Sequence, residues 1–126
     1  MIGNVLMVAA GGAIGAVLRF ASVAWIGRMS GATYMGTMFV NVAGSFVMGV
    51  LAVLMIERMP ESWGRFTPFV MTGVLGGFTT FSAFSLDALG LIEKGRTAVA
   101  LGYIGGSVAL SILALFIGIV VARAML

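Results

Sequence analysis

The chain has 126 residues, of which 61% are hydrophobic and only 9% are charged. A soluble domain carries about 25% charged residues, so this composition predicts an integral membrane protein. There is no cysteine and no histidine, which excludes disulfides, thiolate or imidazole metal sites and Ser/His or Cys/His catalysis. The seven basic residues are scattered singly through the loops, whereas a nucleic-acid-binding protein concentrates them in a patch.

Apolar runs predict four membrane spans in one all-α domain covering residues 1–126. The first and second spans are placed at 2–23 and 37–56, and the third and fourth at 67–92 and 97–122. The first apolar run has no basic segment before it, so we expect a retained span and not a cleaved signal. Arg19 is expected near the end of the first span, where its side chain reaches the membrane boundary. The many glycines, among them Gly11, Gly15, Gly44, Gly49, Gly102 and Gly105, are expected at close contacts between helices.

The third span, with the sequence GVLGGFTTFSAFSLD at 73–87, is predicted to be interrupted at mid-membrane. Gly76 and Gly77 weaken a helix and permit unusual dihedrals, and Thr79 and Thr80 follow them directly. Broken backbone at this depth is tolerated only where it is buried in protein or lines a wet cavity, and transport proteins use it to hold ions. The alternative is a glycine-rich face for helix packing.

Polar side chains form stripes on two other spans. Thr37, Asn41 and Ser45 recur every four residues on the second span, so they share one helix face. Tyr103, Ser107 and Ser111 do the same on the fourth span. These stripes, with the threonines of the third span, predict a permeation pathway. The alternative for each single hydroxyl is a bond to its own backbone or to a neighbouring helix.

The polar groups of this pathway favour a small, hard anion. Hydroxyl and amide donors line it, and Phe81 and Phe84 can offer ring edges, which carry positive partial charge. The first, second and fourth spans hold no mid-span carboxylate, so proton coupling is not expected and the pathway is predicted to be passive.

Loop charges show almost no topological bias. Arg58, Arg65 and Arg123 fall on one side of the predicted membrane, against four basic residues on the other. Since lysine and arginine in short loops set orientation, near balance predicts copies that insert both ways and pair as an antiparallel homodimer. The alternative is a protein oriented by something other than charge.

The segments GGAIGAVLRF, GTMFVNVAGSFVMG and GGFTTFSAFSLD together resemble the small dual-topology fluoride channels, the Fluc or CrcB family. The resemblance covers nearly the whole chain. It implies a passive fluoride channel of the inner membrane, not an enzyme, built as an antiparallel homodimer with two pores. It also implies a structural sodium ion at the dimer centre, held by the backbone carbonyls of Gly76 and Thr79.

By the same resemblance, the fluoride pore is expected to be lined by Asn41, Thr80, Phe81, Ser82, Phe84, Tyr103, Ser107 and Ser111. The polar stripe of the second span adds Thr37 to this set. Two positions depart from the family pattern, which usually has threonine where Ala83 stands and glutamate where Asp87 stands. The alternatives are a small multidrug-type antiporter, for which the first span lacks the required carboxylate, and a non-transporting membrane subunit, which leaves the polar stripes unexplained.

Overall fold

A computed structural model describes all residues from Met1 to Leu126 and contains helices and no strands. Four helical segments are long and apolar enough to cross a membrane, as the sequence predicted. The first and last are single helices, α1 (Ile2–Ser30) and α5 (Thr97–Met125). In the second span, α2 (Thr33–Ala52) continues as a π-helix over Val53–Arg58. The third span comprises a 3-10 helix (Glu61–Phe66), a π-helix (Pro68–Leu75), the short α3 (Gly76–Phe78) and α4 (Phe81–Glu93).

The helices extend beyond the predicted apolar runs. Gly31 ends α1 in the left-handed region with φ 77°, and Gly95 adopts φ 76° before α5, so the chain turns where glycine permits it. Arg19 therefore lies eleven residues before Ser30, about 16 Å along the helix axis. The expectation that Arg19 stands near a helix end was wrong, because the helix continues through the more polar segment up to Ser30.

Glycines allow α1 to pack backbone to backbone against the first half of the third span. A Cβ added at Gly11 would collide with the carbonyl oxygen of Phe69, and one at Gly15 with that of Val74. A Cβ at Gly77 would lie 2.7 Å from the carbonyl oxygen of Gly12. Residue numbers rise together along both segments, so the two run parallel, as alternate spans of a membrane protein do. Side chains at these positions would force the helices apart.

A second glycine contact joins α2 to α5. A Cβ at Gly49 would collide with the carbonyl oxygen of Leu115, and one at Gly118 with that of Phe46. At one end of this pair, the Arg123 Nη2 atom lies 2.6 Å from the Glu57 Oε1 atom. Gly102 and Gly105 make no close helix contact within the chain, since a Cβ at either position would meet nothing within 4 Å. Both lie on the outer face of α5.

Only 20 of the 126 residues are buried, and large apolar side chains such as Leu101 and Phe116 are exposed around the outside. For a membrane protein this outer apolar surface is the surface that faces lipid. The main internal cluster joins α4 to α5 and comprises Phe84, Ala88, Leu91, Ala100 and Tyr103. This cluster fixes α4 against α5 directly beside the interruption of the third span.

Candidate functional site

The third span is interrupted at Thr79 and Thr80, which we call the break. Both residues have extended backbone, with φ −91° and ψ 156° at Thr79 and φ −154° and ψ 121° at Thr80. Gly76, in contrast, is helical with φ −63° and ψ −37°. The prediction of an interrupted helix is confirmed, but the explanation by unusual glycine dihedrals was wrong. Gly77 is needed for the contact with α1 described above, and the extended residues follow it.

Thr80 ends the break and starts α4. Its Oγ1 atom accepts a hydrogen bond of 3.1 Å from the backbone N–H of Ala83, the bond made by a typical N-cap residue. The same hydroxyl lies 3.3 Å from the Ser82 hydroxyl. Upstream, the Thr79 hydroxyl donates to the carbonyl oxygen of Leu75 at 2.9 Å. Thr79 thus bonds to a carbonyl at the end of the helix before the break, and Thr80 bonds to an N–H at the start of α4. These two hydrogen bonds define the length of the break.

Asn41 holds the break from the neighbouring helix α2. Its Nδ2 atom donates to the carbonyl oxygen of Thr80 at 2.9 Å, and its Oδ1 atom accepts from the backbone N–H of Thr80 at 2.7 Å. In a continuous helix this N–H would bond to the carbonyl oxygen of Gly76. The Asn41 carboxamide therefore replaces a backbone partner and deprives the Gly76 carbonyl of its usual donor. One Nδ2 hydrogen is left for another acceptor.

A cavity of about 460 Å³ opens beside the break. It is bounded by α2, the break, the start of α4 and the middle of α5, so it lies near the centre of the spans. Six of the nine predicted pore residues line it, together with both predicted sodium-site residues: Asn41, Thr80, Phe81, Phe84, Ser107 and Ser111, with Gly76 and Thr79. No acidic or basic side chain is among the lining residues. We call this space the polar cavity.

Ser107 borders the polar cavity and has a buried hydroxyl without a protein partner. The side chain is 4% exposed, and its Oγ atom is the one buried side-chain polar atom with no hydrogen bond. Leaving a buried hydroxyl unpaired costs about 1–3 kcal/mol, so this group favours binding of a hydrogen-bonding ligand or water. One turn later on α5, Ser111 is half-buried and lines the same space.

The two predicted phenylalanines meet at the polar cavity but differ in exposure. Their ring centroids lie 5.4 Å apart with the ring planes inclined by 57°. Phe84 is 7% exposed and its centroid lies 5.2 Å from that of Tyr103, whereas Phe81 is 76% exposed. Phe78 lies on the internal side, where a Cβ added at Gly44 would lie 3.2 Å from its ring. Phe84 is fixed by the core, and Phe81 is not covered by this chain.

The remaining predicted pore residues lie outside the cavity wall. Tyr103 and Thr37 are buried, with 4% and 3% exposure, and the Tyr103 hydroxyl donates to the Asp87 Oδ2 atom at 3.3 Å. Asp87, one of the two departures from the family pattern, therefore reaches α5 in spite of its short side chain. Ser82 is exposed, and its hydroxyl lies 3.3 Å from that of Thr80.

Sequence reasoning missed the apolar wall of the cavity, which Met48, Val108, Ile112 and Leu115 form. These residues have no feature that separates them from lipid-facing ones, although Leu115 follows Ser111 by four residues and so continues the stripe of Ser107 and Ser111. Ser45, which belongs to the polar stripe of α2, also lines the cavity, but its hydroxyl donates to the carbonyl oxygen of Asn41 at 2.6 Å. That hydroxyl is already satisfied within its own helix, so Asn41 is the principal polar group of the stripe.

Comparison with known proteins shows the family to which the chain is related. Residues 6–119 match the model of a family described as CrcB-like protein, Camphor Resistance (CrcB). The chain is 50% identical over 123 residues to the Fluoride-specific ion channel FluC of Rhizobium meliloti (strain 1021), covering 97% of this chain and 98% of that protein. It is 47% identical over 118 residues to the protein of the same name from Paracoccus denitrificans (strain Pd 1222), covering 94% and 93%.

Proposed function

The chain belongs to the CrcB-like family, and from this membership and the polar cavity we propose that it is a passive, fluoride-selective channel. Membership confirms the resemblance found in the sequence, and it makes the protein an ion channel and not an enzyme. The observation that carries the proposal is the uncharged, donor-bearing polar cavity, together with the buried, unpartnered hydroxyl of Ser107 at its border.

A small anion is well matched to these donors. The Ser107 hydroxyl and the second Nδ2 hydrogen of Asn41 can each donate a hydrogen bond to it. The edges of Phe81 and Phe84 add positive partial charge without a fixed cation. Because no full charge lines the cavity, an ion is bound weakly enough to leave, which conduction requires. The absence of a carboxylate in the cavity also disfavours a proton-coupled antiporter.

A second copy of the chain is proposed to cover the exposed side of the break. Phe81 is 76% exposed, and the hydroxyl-bearing Ser82 beside it is exposed as well. Polar groups facing hydrocarbon at mid-membrane are costly, so a protein surface fits this side better than lipid does. An antiparallel homodimer would give two equivalent cavities and hence two pores. The near balance of basic residues supports insertion in both orientations. A reporter at the C-terminus of this chain should then be detected on both sides of the membrane.

A sodium ion at the centre of that dimer fits the backbone of the break. The Thr80 N–H is taken by Asn41, so the carbonyl oxygen of Gly76 is free of its helical donor. Gly76 is exposed, and the nearest atom to a Cβ built there is the Met71 carbonyl oxygen at 3.8 Å. The carbonyls of Gly76 and Thr79 from two subunits would give four oxygens, the ligand type that a hard cation prefers. When bound, sodium would hold the two breaks together.

Export of fluoride from the cytoplasm follows from acid–base chemistry. Hydrogen fluoride crosses membranes as a neutral molecule and ionises in the more alkaline cytoplasm, which traps the anion. A passive channel in the inner membrane then suffices, because the membrane potential drives the anion outward. No coupling ion is required.

Ser107→Ala tests the assignment of the polar cavity. Fluoride efflux from liposomes containing the variant should fall at least several-fold, since the free donor is removed from the pathway. Ser85→Ala is the matched control, because Ser85 is exposed on α4 and donates only to the carbonyl oxygen of Phe81. Equal efflux from the Ser107 variant and the unmodified protein would show that the ion does not pass through this cavity.

A further inference from the structure

The first residues of the third span carry a compact cluster of aromatic and basic side chains. It belongs to the 3-10 helix Glu61–Phe66 and comprises Ser62, Trp63, Arg65 and Phe66, which we call the 62–66 cluster. The ring centroids of Trp63 and Phe66 lie 5.7 Å apart, and the Arg65 guanidinium lies 4.8 Å from the Phe66 centroid. The cluster is therefore organised by contacts among its own side chains.

Arg65 differs from the two other arginines at this end of the molecule. Arg123 forms two hydrogen bonds with the carboxylate of Glu57, at 3.2 and 2.6 Å. Arg58 donates to the carbonyl oxygen of Arg123 at 3.4 Å. The Arg65 guanidinium forms no ion pair with Glu61 or with any other acidic group, and it donates to no protein oxygen. Its five N–H groups are free, and its face is stabilised by Phe66 alone.

The 62–66 cluster also borders an open surface cavity of about 290 Å³. Ser62, Trp63 and Arg65 border it, and the protein offers no hydrogen-bond partner to the Ser62 hydroxyl, the Trp63 indole N–H or the Arg65 guanidinium. Trp63 is 50% exposed. The cavity is thus bordered by three kinds of donor, one of them cationic, and by two aromatic rings.

We propose that this cavity binds the phosphate of an anionic phospholipid from the surrounding bilayer. The cluster lies at the start of the third span, with two residues between that span and the end of the second span at Arg58, so we place it at the level of the lipid headgroups. Tryptophan is enriched at that depth, and a planar guanidinium binds phosphate oxygens in a bidentate manner. The aromatic rings would contact the glycerol and upper acyl chain while the donors bind the phosphate. The proposal is independent of fluoride transport.

Fluorescence of Trp63 can report the lipid that lies beside it. The chain has two tryptophans, so Trp25→Phe leaves Trp63 as the single indole. This variant is placed in phosphatidylcholine vesicles that contain a small, fixed fraction of lipid brominated in the upper acyl chain. Brominated phosphatidylglycerol should quench Trp63 more strongly than brominated phosphatidylcholine. One basic side chain near the surface corresponds to about fivefold enrichment of an anionic lipid.

Matched charge removals separate a built site from a general surface potential. Arg65→Gln should abolish the preference for phosphatidylglycerol, whereas Arg58→Gln, which removes the same charge at the same end, should preserve most of it. Inorganic phosphate in the buffer should leave the quenching unchanged, because a lipid of the bilayer is the occupant. Equal quenching by the two lipids, equal losses in the two arginine variants, or relief of quenching by inorganic phosphate would each overturn the proposal.

Discussion

Asn41→Asp should abolish fluoride conduction while leaving the helices inserted. The replacement keeps the size of the side chain and the acceptor for the Thr80 N–H, now 2.7 Å away. It removes the donor that reaches the Thr80 carbonyl oxygen at 2.9 Å and places a second oxygen there instead. The lost hydrogen bond and the unpaired carbonyl together should destabilise the break by about 1–3 kcal/mol.

The larger effect acts on the passing ion. A carboxylate about 4 Å from an anion raises its energy by about 4 kcal/mol at an effective dielectric constant of 20. Each 1.4 kcal/mol corresponds to about a tenfold change, so fluoride flux should fall on the order of a thousandfold.

The assay is fluoride efflux from liposomes at neutral pH, with the dimer content of each preparation measured by size-exclusion chromatography. Ser45→Ala is the control on the same face of α2, because the Ser45 hydroxyl bonds only within its own helix. Near-normal efflux through Asn41→Asp would refute the reasoning and leave Asn41 with a packing role alone.

Two further pairs of substitutions address the break. Phe81→Ile and Phe84→Ile keep apolar bulk, so each should cost about 1.5 kcal/mol of stability or less while fluoride efflux drops several-fold. Phe78→Ile is their control, since that ring packs internally at Gly44, and equal loss at all three positions would contradict a specific role for the first two. Gly77→Val should prevent folding of the protomer, because its Cβ would lie 2.7 Å from the Gly12 carbonyl oxygen. The valine side chain of Gly76→Val meets no close contact within the chain, so the protomer should fold. Loss of dimer and flux in this variant would locate a partner surface at Gly76. A fully active dimer would place the cation site elsewhere.

Much of the architecture was predictable because the membrane restricts the choice. Apolar runs of sufficient length identified all four spans, and the residues GGFTT identified the interrupted one. The ends of α1 were less predictable, since only Gly31 stops a helix that continues past Arg19 and Arg28. Hydropathy shows where an apolar run ends, whereas a helix ends where its backbone is capped.

The candidate site was predictable as a set of residues but not as a set of bonds. Four-residue spacing placed Asn41 on one helix face, and hydroxyl spacing placed Ser107 and Ser111 on another. The pairing of Asn41 with Thr80 joins residues 39 positions apart, which no local pattern contains. The location of the break at the threonines and not at the glycines depends on that same pairing, so it too required the tertiary structure.

The central claim is best tested by ion efflux from liposomes that contain the purified protein. Vesicles loaded with fluoride and parallel vesicles loaded with chloride are diluted into ion-free medium, with the potential collapsed by a potassium ionophore. We expect rapid fluoride release and negligible chloride release. Equal release of the two anions, or no fluoride release from dimeric protein, would contradict a fluoride-selective channel.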